Sequence, residues 1–186
     1  MKKFIPEKIH YMPSKKIFLA RAGARYSITV SDENFMDIVN KIYLTGLECV
    51  EPVVYWNIFD KSNIPQEAIP GKYNEFEKFV IFVSTLGHKL DECIDNISKD
   101  STLHSMLLDA WGSEALETLN DNFQNILSEN YSIKTQSRFS PGYGDLHISI
   151  NKLYVQLLGI DDEIAVLDTG IMIPRKTTSC ISPIID

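Results

Sequence analysis

Several classes of protein are excluded by what this chain has little of. It carries three cysteines, Cys49, Cys93 and Cys180, far apart, with no CxxC spacing and no histidine set beside them. Neither a disulfide framework nor a zinc site is indicated, and reduced thiols are the plain reading. The longest apolar run, residues 79–86 (FVIFVSTL), holds eight residues and includes Ser84 and Thr85, far below the ~20 needed to cross a bilayer. The N-terminal MKKFIPEKIHYMP is interrupted by Pro6, Glu7, Lys8 and Pro13, so it lacks the apolar stretch of a secretory signal. A cytoplasmic protein with no membrane partner is expected. With a formal net charge of −7 and no Lys/Arg stripe, no nucleic acid partner is expected either. No GxGxxG, P-loop, GxSxG or HExxH occurs, which removes the dinucleotide, NTPase, hydrolase and zinc-peptidase readings.

What is present is ordinary globular material, 44% apolar and 23% charged, in a chain long enough to bury one sizeable core. A single domain over residues 1–186 is expected, with a helical, variable part at 1–78 and a core at 79–186. β-propensity suggests strands at 16–20 and 26–30. Ser31 reads as an N-cap with Asp32 and Glu33 in the first turn, and Phe35, Ile38, Val39, Ile42 and Tyr43 follow at helical spacing until Gly46. Residues 53–59 (VVYWNIF) predict a strand leading into a long surface loop with Pro65, Pro70 and Gly71, and 79–85 a second strand. Helices are expected at 91–97 and 102–130, the latter with a close backbone approach at Gly112, and from Leu146 to the stop at Gly159. Residues 164–168 and 171–173 predict a hairpin, and 179–184 a last strand at a sheet edge. Without βαβ periodicity the class is α+β, a twisted antiparallel sheet flanked by helices.

Chemistry could reside in two segments. Residues 138–145 (RFSPGYGD) combine a cation, two glycines, a proline and an aromatic. Arg138 can hold a carboxylate by two parallel hydrogen bonds, Gly142 and Gly144 allow the main chain to approach a flat heterocycle, and Tyr143 can stack on it. The same residues also make an ordinary turn with a helix cap at Asp145. Residues 174–180 (PRKTTSC) bring Arg175, Lys176, Thr177 and Ser179 beside the hairpin, suited to phosphate or amide groups or to a solvated loop. Glu117, at the edge of a helix face, can accept from an amino group or simply face water. Cys180 reads as a small packed residue.

In order along the chain, TLG (85–87), LDAWGSEALE (108–117), RFSPGYGD (138–145) and IMIPRKTTS (171–179) resemble the cobalamin-dependent methionine synthase activation (reactivation) domain family. The blocks cover 79–183, while 1–78 resemble the family loosely, and the length is similar to its stand-alone form. The resemblance implies a C-shaped antiparallel sheet with S-adenosylmethionine across an Arg-x-x-x-Gly-Tyr motif, here Arg138, Gly142 and Tyr143. Arg138 would pair with the methionyl carboxylate, the backbone around Ser140 and Gly142 with Tyr143 would hold the adenine, and Glu117 would take the amino group. Lys176, Thr177 and Ser179 would lie toward the corrin of cobalamin carried by a partner methyltransferase, with a flavodoxin-like electron donor as a further partner. The implied activity is repair, by one-electron reduction and methylation of cob(II)alamin. Two family features are missing: an early acidic contact has no equivalent in 1–78, and a late aromatic falls close to Ser182. The alternative implied is a non-catalytic assembly module that docks on a corrinoid protein without S-adenosylmethionine.

Overall fold

The computed structural model describes residues 1–185. In chain order the elements are β1 (Lys2–Phe4), α1 (Lys15–Arg21), α2 (Tyr26–Thr29), α3 (Glu33–Glu48), β2 (Val53–Asp60), β3 (Lys78–Thr85), α4 (His88–Ser98), α5 (Thr102–Tyr131), β4 (Lys134–Thr135), α6 (Ile150–Leu158), β5 (Ala165–Val166), β6 (Met172–Ile173) and β7 (Thr177–Ile185). A five-stranded sheet runs β1-β2-β3-β7-β4, every neighbour antiparallel, and β5 and β6 form the separate hairpin. This is the expected α+β class.

β3 is central and buried on both faces from Phe79 to Thr85, which is why it reads as a continuous apolar run instead of an alternating one. Alternation still sorts its side chains. Val80 and Phe82 join Val54, Trp56 and Cys180 in a core under α5. Phe79, Ile81 and Val83 join Tyr55, Ile181 and the α6 residues Tyr154 and Leu158 in a second core on the opposite face.

α5 is the organising helix of the first core, with α1, α3 and α4 packed around it. Such close packing needs small residues. A Cβ at Gly112 would stand 2.8 Å from Leu90 of α4, as the expected close approach requires, and one at Gly46 would stand 2.5 Å from the Trp111 ring. Gly46 therefore lies inside α3, beneath an indole, and does not end the helix as its position suggested.

Other expectations are corrected. Residues 16–20 and 26–29 are helical, not strands; in the first of these Phe18 and Leu19 dock fully buried in the α5 core, and tertiary packing outweighs a weak propensity. The α3 N-cap is Asp32, whose carboxylate accepts from Phe35 N at 3.0 Å; Ser31 instead donates its hydroxyl back to Ile28 O. The 61–77 connection is less a surface loop than a wall of the second core, burying Ile64, Ala68, Ile69 and Tyr73. Asp145 caps no helix; it accepts from Gly71 N at 2.7 Å, and α6 starts at Ile150. β7 sits between β3 and β4, and is not the sheet edge. Among the described residues no helix is long and apolar enough to cross a membrane.

Candidate functional site

Asp109, Ser113, Glu117 and Asp121 recur every four residues on α5, so they share one face of it. Two cations reach this stripe from different elements. Lys176, just before β7, donates to Asp109 Oδ1 at 2.8 Å and Ser113 Oγ at 2.9 Å. Arg138, in the segment after β4, donates to Glu117 Oε2 at 2.7 Å, to Asp121 Oδ1 and to Gln124 Oε1 at 3.2 Å. The two anchors are separated by about 12 Å along the helix at 1.5 Å per residue. Burial works against the Arg138 charge, but its bonds to Asp121 and Glu117 outweigh that, and the guanidinium is held above its ordinary range. It is a fixed cation.

The 138–145 segment is tied down at both ends. Phe139 exchanges backbone hydrogen bonds with Ile181 of β7 at 2.9 Å, and Gly142 N donates to Leu146 O at 2.8 Å. Gly142 adopts φ +94°, a backbone state that favours glycine. Its N–H is thereby committed within the chain, as is Tyr143 O, which accepts from Leu146 N at 3.0 Å. Tyr143, at the tip, is 70% exposed. Ser140 Oγ lies 3.2 Å from Cys180 Sγ. The buried Cys180 thiol is pushed up to about 11 by burial, with Ser140 and Arg138 pulling the other way, so it stays protonated at neutral pH. It packs, as expected.

Between α5, this segment and β7 opens a pocket of ≈ 400 Å³ lined by Glu117, Asn120, Gln124, Arg138, Ser140, Tyr143 and Thr178, with Ser137 and Phe139 at its edge. Four expected residues, Glu117, Arg138, Ser140 and Tyr143, thus meet at one site, with Gly142 shaping the turn above it. Thr177 and Ser179 do not join them. Strand alternation sends them to the other face: Ser179 is buried and donates to Asn151 Oδ1 of α6 at 2.7 Å, and Thr177 donates to Thr85 Oγ1 at 2.7 Å. Lys176 occupies the Asp109 end of the stripe, outside the pocket lining. Ser182 is fully buried in the sheet.

Sequence reasoning missed Asn120 and Gln124, and took Thr178 only as one of the three hydroxyls of 177–179. Asn120 is 1% exposed, and its Oδ1 accepts from the buried Ser84 hydroxyl. Its Nδ2 has no partner, although it borders the pocket. A buried amide donor left unmade costs about 1–3 kcal/mol. A signal was present: Asn120 falls in the apolar register of α5, among Leu116, Leu119, Phe123 and Leu127, where asparagine is rarely placed without a partner.

A second cavity of ≈ 410 Å³ lies beside β1 and β2, where Lys3, Glu51, His88 and Glu163 mix charges of both signs. It shares Thr85, Gly87 and Pro174 with the four sequence blocks and has no orphaned polar side chain on its wall.

No protein-family model matches the chain, and no curated protein sequence matches it. Among solved structures, it is similar to the MetH reactivation domain bound to AdoHcy, with a TM-score of 0.72 at 11% identity, over 98% of this chain and 77% of that one. The chain, its N-terminal third included, has the fold of that domain.

Proposed function

We propose that this chain binds S-adenosylmethionine in the pocket between α5 and the 138–145 segment, and serves the reductive methylation of cobalamin carried by a partner methyltransferase. The observation that carries the reading is one pocket lined by a guanidinium, a carboxylate and an amide whose buried Nδ2 is unpaired: Arg138, Glu117 and Asn120. A zwitterionic amino acid matches it. Its carboxylate takes the place of Glu117 on the Arg138 fork and its ammonium goes to Glu117, so the amino-acid end adds no net charge to the pocket. Asp121, also on Arg138, keeps the guanidinium aimed during the exchange. Tyr143 is free to cover a flat ring at the exposed end, and Asn120 Nδ2 supplies a donor at the buried end. The volume suits a small ligand of this size.

Further support comes from the fold, shared with a MetH reactivation domain whose structure is bound to AdoHcy. The methyl donor supplies the electrophilic carbon and the partner's cobalt the nucleophile; the chain's own residues bind, orient and shield. A flavodoxin-like protein would supply the electron, in the cytoplasm. Isothermal titration of the purified chain with S-adenosylmethionine tests the site. Saturable binding weakened roughly 30-fold by Arg138→Ala is expected, the equivalent of a charge-assisted hydrogen bond of ~2 kcal/mol. Affinity unchanged by that substitution removes the assigned site.

One observation favours a second reading. Arg138 is already satisfied by two carboxylates and an amide oxygen, as a purely structural cation would be. A module that docks on a corrinoid protein without the methyl donor fits this closed state, and complex formation in the absence of S-adenosylmethionine, with no titration heat, distinguishes it.

A further inference from the structure

Cys49 and Cys93 are separated by 44 residues in sequence, yet their sulfurs lie 2.7 Å apart. The fold builds this contact independently of the sulfurs. Cys49 is the C-cap of α3, its N–H bonded to Thr45 O at 2.9 Å. The chain then crosses at Glu51, whose N–H donates to Leu86 O at 2.9 Å, immediately before α4. Beyond this crossing the register Val53↔Thr85 opens the β2/β3 ladder. α4 then carries Cys93 back over the end of α3. Both cysteines pack at the margin of the α5 core and are half-buried, so a small reagent reaches them. The third thiol, Cys180, is fully buried and held by Ser140.

We propose that Cys49 and Cys93 are a redox modification site that closes to an intramolecular disulfide when the chain meets a low-molecular-weight disulfide. A sulfur pair in this position needs only a shift of well under 1 Å to reach the bond length of ~2.05 Å. The Cys93 thiol is pushed up to about 12, by burial first and then by its bond to Cys49, with Lys89 acting in the opposite sense. Cys93 is thereby the slower sulfur to react and takes the second step. The Cys49 thiolate attacks one sulfur of the reagent, forming a mixed disulfide and releasing one small thiol. Cys93 then gives up its proton and attacks Cys49 sulfur, expelling the second small thiol. Two protein thiols are oxidised by two electrons in total, and the reagent's disulfide is reduced to two thiols. The bond ties the end of α3 to the helix whose Asp91 and Asp95 hold Arg175, and it removes freedom from the unfolded chain by closing a long loop.

The test treats the full-length chain with oxidised glutathione, quenches it in acid, and alkylates it after denaturation. Expected is a fall from three alkylatable thiols to Cys180 alone, a mass loss of two hydrogen atoms, and a peptide joining 49 to 93. The thermal midpoint should rise on the order of 10 °C and return with dithiothreitol. In Cys93→Ser the mixed disulfide on Cys49 should persist, because nothing resolves it. All three thiols remaining alkylatable in the wild-type chain, a stable glutathione adduct on it, or a bond between two chains would each overturn the proposal.

Discussion

Asn120 and Asn151 stand on opposite sides of the same sheet, both buried, and each accepts a hydroxyl from a strand beneath it: Ser84 of β3 for one, Ser179 of β7 for the other. On the α6 side the amide is completed within the protein, since Asn151 Nδ2 donates to Gly170 O at 2.8 Å. Its neighbours are completed as well, with Tyr154 Oη donating to Ala68 O and Tyr73 Oη to Ser137 O. On the α5 side Asn120 Nδ2 is buried without a partner, and so are the indole N–H groups of Trp56 and Trp111 in the same core. A buried polar group is normally paired. The α6 face pairs these buried groups within the protein, whereas the α5 face leaves Asn120 Nδ2 unpaired at a residue that lines a pocket.

This contrast can be broken or sharpened by substitution. The largest effect on stability is expected for Asn151→Ala, which orphans both Ser179 Oγ and Gly170 O and should cost about 2–4 kcal/mol in urea unfolding, without selective loss of ligand affinity. Arg138→Ala follows, at ~2 kcal/mol of binding as above. Asn120→Ala should reverse the Asn151 pattern, with about 1 kcal/mol of stability lost because only Ser84 is orphaned, and roughly tenfold weaker binding by calorimetry, ~1.4 kcal/mol. Smallest is Lys176→Ala. Its partners lie outside the pocket lining, so affinity for S-adenosylmethionine should change less than about twofold, and stability by less than ~1 kcal/mol for a half-exposed pair. A Lys176 effect as large as that of Arg138 would merge the two ends of the α5 stripe into one site.

Much of the fold was legible where a single period ran without competition. α3, α5, the central strands and the β5/β6 hairpin all lie where their patterns put them, within a few residues. Residues 16–20 were misread because the packing of Phe18 and Leu19 under α5, invisible locally, decides their state. The candidate site was legible in its loop, where Arg138 and the glycines are chemically conspicuous, and illegible on the strand. Residues 177–179 read as one polar cluster, whereas alternation turns Thr178 alone toward the pocket and sends its neighbours to the α6 face. Cys49 and Cys93 were far apart until β2 and β3 paired. Asn120 was overlooked because an asparagine in an apolar helix face carries no motif; its meaning depends on which partner the fold withholds.

The most direct measurement follows the side-chain amide signals of Asn120 and Asn151 by ¹⁵N-edited NMR, each assigned by its disappearance in the corresponding Asn→Asp variant, during titration with S-adenosylhomocysteine. The account predicts that the Asn120 Nδ2 signals shift saturably while those of Asn151 stay in place. Ligand binding that leaves Asn120 unmoved, or moves both amides equally, would contradict it.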